Sequence, residues 1–250
     1  MPDYPSGVVT TVHDGPWGRL RCRSLGAPRP GTPHVVLVQG LSVADYLLPG
    51  LAGFTSWTRA HLLELPGYEG RGGRLPVPGF GRAVAEWLDA QQLGTVVLGG
   101  HSSGTQVAAA AAVGRTDVAY ALLVSPIVEP GARSVLRLGA RWLRDGRQET
   151  SGLLSWQAPE WWRAGPRRLA HLIRVHLRYR IENPLARLDV PALVLRGSDD
   201  RLCSPGWCRR LAALTPGGEY VEVPGAHSFF WDDPDAWSEP VRRAALSVRK

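Results

Sequence analysis

Lysine is almost absent from this sequence. The chain has 29 lysine and arginine residues, but Lys250 is its only lysine, so arginine carries the formal net charge of +7. Heavy use of arginine, alanine and glycine together with a single methionine indicates a biased nucleotide composition in the coding gene. No run of basic residues is interleaved with aromatic ones, as a nucleic-acid-binding segment would be. We therefore expect no nucleic-acid partner.

Cysteines and long apolar runs are also scarce. The three cysteines, Cys22, Cys203 and Cys208, are too few and too irregularly spaced for a disulfide framework or a zinc site. No stretch approaches the roughly 18 uninterrupted apolar residues of a membrane-spanning helix. Residues 1–7 lack the basic and then apolar pattern of a signal segment. These absences predict a soluble, cytoplasmic protein without a metal site or a membrane partner.

The most informative stretch is the sequence Gly-His-Ser-Ser-Gly at residues 100–104. It follows an apolar run and precedes an alanine-rich run, which predicts a strand, a sharp turn and a helix with Ser102 at the tip of the turn. Gly100 and Gly104 remove the Cβ atoms that would clash where the strand and the helix converge. A helix beginning at Ser103 directs free N–H groups toward a developing oxyanion. Ser102 is therefore a candidate nucleophile for acyl transfer.

Strand and helix patterns alternate along most of the chain. Strand patterns occur at residues 8–12, 20–25, 35–38, 60–65, 96–98, 119–124, 192–197 and 220–223. Helical patterns occur at residues 80–93, 205–214 and 234–248, and a glycine-rich loop occurs at residues 70–73. The first two strands predict an antiparallel hairpin, and the later alternation predicts a mostly parallel, doubly wound sheet within one α/β domain of residues 1–250.

Residues 126–190 differ from the rest in composition. They contain 12 arginines, six acidic residues and four tryptophans, with helical spacing and no strand pattern. We predict a lid of several short helices inserted between two strands, whose tryptophans form an apolar roof over Ser102. We interpret its arginines as a solvated outer surface, because arginine dominates the basic residues of the whole chain. An anion-recognising rim is the alternative.

A serine hydroxyl becomes nucleophilic when a base takes its proton and an acid orients that base. Candidate groups follow two later strands: Asp199 and Asp200 come after Gly197, and His227 comes after the last strand. The carboxyl ends of parallel strands lie along one edge of a sheet, so these loops can meet there. The order serine, aspartate, histidine is the one expected for this architecture.

With these residues, the chain resembles the α/β-hydrolase superfamily over nearly its whole length. The resemblance implies that Ser102 is the nucleophile, His227 the base and Asp200 the acid, because the acid usually stands three residues after the glycine that ends its strand. Asp199 is an alternative acid. Glu129 is another, because some relatives place the acid after the preceding strand.

The same resemblance identifies the loop after Val38 as the oxyanion loop. It implies that the backbone N–H groups of Leu41 and Ser103 hold the oxyanion. This chain has Gln39-Gly40 where the superfamily often has His-Gly. Because the stabilising groups are backbone amides, the exchange need not abolish activity.

The implied function is hydrolysis of carboxylic esters of small, apolar substrates through an acyl-enzyme, with no cofactor. A serine nucleophile argues against the dehalogenase and epoxide-hydrolase branches, which use an aspartate at the same turn. Thioester, lactone and carbon–carbon bond hydrolysis remain open, because the same triad serves all of them. A catalytically idle receptor that binds a small molecule beneath the lid is a further alternative. The sequence predicts no oligomeric state.

Overall fold

The structure, a computed structural model, describes residues 5–67 and 73–247. Its eight strands are β1 (Val9–Gly15), β2 (Gly18–Leu25), β3 (His34–Val38), β4 (Ala60–Glu64), β5 (Val96–His101), β6 (Val118–Val124), β7 (Ala192–Gly197) and β8 (Glu219–Val223). They form one sheet in the order β1-β2-β4-β3-β5-β6-β7-β8. The pairs β1-β2 and β2-β4 are antiparallel and the other pairs are parallel. The predicted hairpin and mostly parallel sheet are confirmed.

Helices cover both faces of the sheet. They are α1 (Leu48–Leu51), α2 (Val77–Gln91), α3 (Gly104–Ala112), α4 (Val135–Asp145), α5 (Leu153–Ala164), α6 (Pro166–Arg178), α7 (Glu182–Leu185), α8 (Pro205–Ala212) and α9 (Asp235–Ser247). Predicted bounds hold to within a few residues. Helix α2 begins at Val77, three residues earlier than predicted, because Pro78 fits the first turn of a helix. Most of the predicted glycine-rich loop, and residue 248, lie outside the described residues.

Successive side chains of a strand point to opposite faces of the sheet, so the sheet has a hydrophobic core on each face. Val36 and Val38 of β3 belong to the core that includes residues of α2, α3 and α8, whereas Val35 and Leu37 belong to the core on the opposite face, which includes residues of α1 and α9. Continuous apolar strands are therefore buried on both sides, as expected of parallel strands covered by helices. Within the two described ranges, no helix has both the length and the apolar content needed to cross a bilayer.

Residues 126–190, here called the insert, lie between β6 and β7. They contain a short 3-10 helix at Pro130–Ala132 and helices α4 to α7, with no strand, as the composition predicts. Gln106 of α3 anchors the insert, because its side-chain amide donates to the carbonyl oxygens of Ile127 at 3.0 Å and His176 at 3.1 Å. Nδ1 of His176 donates to Oε1 of Gln106 at 2.8 Å. The insert is thus fastened next to the carboxyl ends of the strands.

Candidate active site

Ser102 lies in the turn between β5 and α3, with a backbone φ of +56°. Residues other than glycine rarely adopt this left-handed conformation, and it is typical of strained functional positions. A Cβ atom on Gly100 would lie 2.5 Å from the carbonyl carbon of Gly104, and one on Gly104 would lie 2.4 Å from the carbonyl oxygens of Val38 and Gln39. The two glycines therefore let β5, α3 and the loop after β3 converge around the serine, as their spacing predicts.

His227 and Asp200 follow the two strands at the far edge of the sheet, β8 and β7. Nδ1 of the buried His227 donates a hydrogen bond to Oδ2 of Asp200 at 2.9 Å. The other oxygen of Asp200 accepts the backbone N–H groups of Leu202 at 2.7 Å and Cys203 at 3.1 Å. These bonds fix the carboxylate and leave Nε2 of the imidazole directed elsewhere.

The alternative acids lie apart from the imidazole. Asp199 is exposed to solvent, and Glu129 forms an ion pair with Arg141 of α4. Of these three candidate carboxylates, Asp200 is the one that contacts His227.

Opposing effects set the pKa values of this buried pair. Burial alone would lower the pKa of His227, but the charge and hydrogen bond of Asp200, together with the charges of Asp145 and Glu149 in the insert, raise it to about 9. Burial would likewise raise the pKa of Asp200, but the charge of His227 and its hydrogen bond hold that pKa well below the usual range. Each side chain therefore favours the charged form of the other.

Ser102 and His227 line the same cavity, which encloses about 340 Å³. Nε2 of His227 is buried, and it has no hydrogen-bond partner among the described residues, Ser102 included. Bonds of this kind often tighten only in the complex with substrate. The apolar wall residues are Leu41, Val43, Ile127, Val135, Leu138, Trp142, Trp161, Leu169, Ile173 and Leu202.

Arginine and carboxylate side chains of the described residues lie outside this cavity. The titratable side chains that the described residues contribute to its lining are those of Tyr46, His101 and His227, and none of the insert's arginines lines it. Within residues 5–67 and 73–247, no cluster of three or more histidine, cysteine, aspartate or glutamate side chains is placed to hold a metal ion. The lining of the cavity is therefore mainly apolar.

Leu41 and Ser103 lie on the two segments that converge at Ser102. Among the hydrogen bonds that the described residues form, none uses the backbone N–H of Leu41 or of Ser103. Leu41 also lines the cavity beside Ser102. Gln39, which stands where the superfamily often has histidine, has a buried side chain whose Oε1 has no partner among the described residues.

The insert holds the loop that contains Leu41. Nε1 of Trp161 on α5 donates to the carbonyl oxygen of Leu41 at 2.8 Å. The neighbouring carboxylate of Glu160 accepts the backbone N–H groups of Ala44 at 3.0 Å and Asp45 at 2.9 Å. Burial, reinforced by the charge of Asp45, raises the pKa of Glu160 to about 7. The tryptophans of the insert were predicted to cover Ser102, but these hydrogen bonds were not, because nothing local links positions that are more than 100 residues apart.

His101 forms a second contact with the loop of His227. Its Nε2 donates to the carbonyl oxygen of His227 at 3.0 Å, so its Nδ1 accepts the hydroxyl of Tyr46. Burial lowers the pKa of His101 well below its usual value, and the ring is neutral. His101 therefore lines the cavity and supports the backbone of the His227 loop, as its place inside the serine motif indicates.

Comparison with known proteins agrees with this geometry. The sequence model of the alpha/beta hydrolase family matches residues 35–239, while no curated protein matches the chain. A hydrolase from Pseudomonas aeruginosa is 21% identical with a TM-score of 0.71, covering 98% of this chain and 99% of its own. An enol-lactonase from Burkholderia xenovorans is 19% identical with a TM-score of 0.71, covering 94% and 100%.

A thermophilic esterase from Thermogutta terrifontis is 19% identical with a TM-score of 0.64, covering 98% of this chain and 100% of its own. At such identities the solved structures demonstrate a common fold. The family match adds sequence evidence over most of the chain, including the strands that carry Ser102, Asp200 and His227. This chain belongs to the α/β-hydrolase family.

Proposed function

We propose that the protein is a serine hydrolase that cleaves carboxylic esters of small, apolar substrates through an acyl-enzyme. The observation that carries the proposal is the shared cavity of Ser102 and His227, with Asp200 bonded to the far nitrogen of the imidazole. A nucleophile, a base and an orienting acid in this relation are the parts that acyl transfer requires. The other features of the site then take roles in one reaction.

In the proposed reaction, Oγ of Ser102 attacks the carbonyl carbon of the ester. At the same time, Nε2 of neutral His227 accepts the proton of the Ser102 hydroxyl. Asp200 stabilises the imidazolium that forms. The N–H groups of Leu41 and Ser103, with the N-terminal end of α3 behind them, stabilise the oxyanion. The imidazolium then protonates the departing alkoxide, which leaves an acyl ester on Ser102.

Water completes the cycle. Neutral His227 takes a proton from water as the water oxygen attacks the acyl carbonyl, and the same two N–H groups stabilise the second oxyanion. Collapse of this intermediate returns the proton to Ser102 and releases the carboxylic acid. No group outside the described site is needed for either half of the reaction.

The cavity supports an uncharged, apolar substrate. Its walls are mainly aliphatic and tryptophan side chains, and burial of each methylene stabilises a complex by up to about 0.8 kcal/mol. Trp142 and Trp161 of the insert line the cavity together with Ser102, which supports the role of a lid. Among proteins of this fold, one is named an esterase and another an enol-lactonase.

A fluorophosphonate probe tests the proposal directly. We expect one equivalent of label on Ser102, no label on Ser102→Ala, and full labelling of Ser155→Ala, whose serine is exposed on α5. The Ser102→Ala and His227→Ala variants should retain their circular dichroism and lose about 10⁴- to 10⁶-fold in turnover of p-nitrophenyl esters. Variants with rates within tenfold of the parent would refute the assignment. An unlabelled serine in a protein that binds esters without turnover would identify a receptor.

A further inference from the structure

A second concave surface, here called the arginine cleft, lies along a different face of α4 from the catalytic cavity. It is open, encloses about 620 Å³ and shares no lining residue with that cavity. Its walls come from three segments: α4 with the turn after it, β7, and the loop between β7 and α8. Five arginines line it, namely Arg141, Arg144, Arg147, Arg196 and Arg201.

Two of these arginines are already engaged. The guanidinium of Arg196 donates to the carbonyl oxygens of Asp200 at 2.7 Å and Cys203 at 2.9 Å, and it pairs with Glu222 at 2.8 Å. Arg141 pairs with Glu129. They fix the shape of the cleft, and their charges are balanced within the protein.

The charges of the other three arginines are not paired with a carboxylate of the described residues. Arg144, Arg147 and Arg201 are exposed, and none of them forms an ion pair or a guanidinium hydrogen bond with another described residue. Among the described residues, Asp200 is the one acidic residue that lines the cleft, and its carboxylate is buried against His227. Like charges repel, and a concave surface concentrates their field.

Polar groups complete the cleft. Ser204 and Gln148 line it beside the arginines, and α8 begins at Pro205 on its wall. The start of this helix is already capped, because the Ser204 hydroxyl accepts the backbone N–H of Trp207 at 3.2 Å. Asp145, on α4, does not line the cleft, and its buried carboxylate accepts the backbone N–H of Arg201 at 2.8 Å. The cleft therefore combines the side-chain amide of Gln148, a further hydrogen-bond donor, with three arginines that form no ion pair among the described residues.

We propose that the arginine cleft binds a small molecule that carries two neighbouring phosphate groups. Guanidinium groups bind phosphate oxygens through two parallel hydrogen bonds, a geometry that suits them better than it suits lysine. Three free guanidiniums around one cleft match a ligand with several negative charges close together. A compact concavity fits a small molecule rather than the extended backbone of a nucleic acid. The site does not depend on the esterase chemistry proposed above.

Calorimetric titration of inorganic pyrophosphate into the Ser102→Ala protein tests this proposal without catalysis. We expect saturable binding of one equivalent that weakens with added salt, because the interaction is electrostatic. The double variant Arg144→Ser/Arg147→Ser should bind at least about tenfold more weakly, since it loses two charge-assisted contacts. Arg201→Ser, on a different segment, should also weaken binding, which separates the cleft from any local disturbance of α4.

The matched control is Arg163→Ser/Arg174→Ser, which removes two exposed arginines of the insert outside the cleft. It should bind pyrophosphate within about twofold of the parent, since distant exposed charges are screened. Absence of saturable binding, or an equal loss in both double variants, would overturn the proposal. Citrate that binds as tightly as pyrophosphate would also overturn it, because the cleft would then recognise charge and not phosphate.

Discussion

The side-chain carboxylate of Glu149 accepts the backbone N–H of Ser228, the residue after His227, at 2.9 Å. Four residues earlier, Asp145 accepts the backbone N–H of Arg201 in the loop that follows β7. The insert therefore contacts both loops of the histidine–aspartate pair and brings two carboxylates near the imidazole. Their charges add to that of Asp200 in raising the pKa of His227.

Removal of one of these charges should shift the pH dependence of the reaction. A base must be neutral to accept a proton, so activity is expected to rise with pH through the pKa of His227. Burial raises the pKa of Glu149 to about 7, so this side chain is ionised in the range where the imidazole loses its proton. Glu149→Gln keeps the bond to Ser228 but removes the charge. The acidic limb of kcat/KM should move to lower pH, by roughly one unit or less.

Glu219→Gln is the matched control, because it removes an exposed carboxylate at the start of β8, at the end of the strand opposite to His227. Its pH profile should coincide with that of the parent. A limb that stays in place in Glu149→Gln, or that moves to higher pH, would contradict the electrostatic role of the insert.

The adjacent aspartates after β7 should respond differently to the same substitution. Asp200→Asn keeps the shape of the side chain but favours the wrong imidazole tautomer, a defect that costs about 10⁴-fold in the well-studied serine protease triad. Asp199→Asn should cost less than about threefold, because surface substitutions have small effects and Asp199 is exposed. Steady-state kinetics of both variants distinguish the roles. If Asp199→Asn loses activity and Asp200→Asn keeps it, the acid is Asp199. If both variants stay active, Glu129 is the next candidate acid.

The placement of Ser102, Asp200 and His227 at one edge of the sheet could be anticipated from local patterns, whereas the choice of Asp200 among the carboxylates rested on the resemblance to the α/β-hydrolase superfamily. Glycine spacing predicts the tight turn at the serine, and short apolar runs predict strands whose ends meet at one edge of the sheet. The composition of residues 126–190 likewise predicts helices. Such signals are contained within a few consecutive residues, so they can be read without knowledge of the packing.

The contacts of the insert could not be anticipated in this way. Trp161 bonds to Leu41, whereas its neighbour Trp162 is 87% exposed, and both are tryptophans in the same helical pattern. Which of them faces the site depends on how α5 docks against the loop after β3. The arginines present the same difficulty, because Arg141 is paired and Arg144 is exposed three residues later.

This difference between the tryptophans provides a test of the insert's contact with the oxyanion loop. Trp161→Phe keeps an aromatic wall but removes the N–H that holds the carbonyl of Leu41. We expect kcat for p-nitrophenyl butyrate to fall by about tenfold, since loss of positioning at an oxyanion site weakens stabilisation of the transition state. KM should change less. Trp162→Phe should leave both constants at the parent's values, and equal effects of the two substitutions would argue against the contact.

The apolar cavity predicts how activity should vary with the acyl chain and with salt. For p-nitrophenyl esters from acetate to decanoate, kcat/KM should rise with each methylene by up to about fourfold, the equivalent of 0.8 kcal/mol, until the cavity is full. Salt screens interactions between charges but not the burial of neutral groups, so kcat/KM for these esters should depend little on ionic strength. Leu138→Ala enlarges the cavity and should shift the optimum to a longer chain. Leu136→Ala, on the same helix but 86% exposed, should not shift it. A preference for an ester that bears a free carboxylate, lost on addition of salt, would instead make arginines of the insert ligands of the substrate.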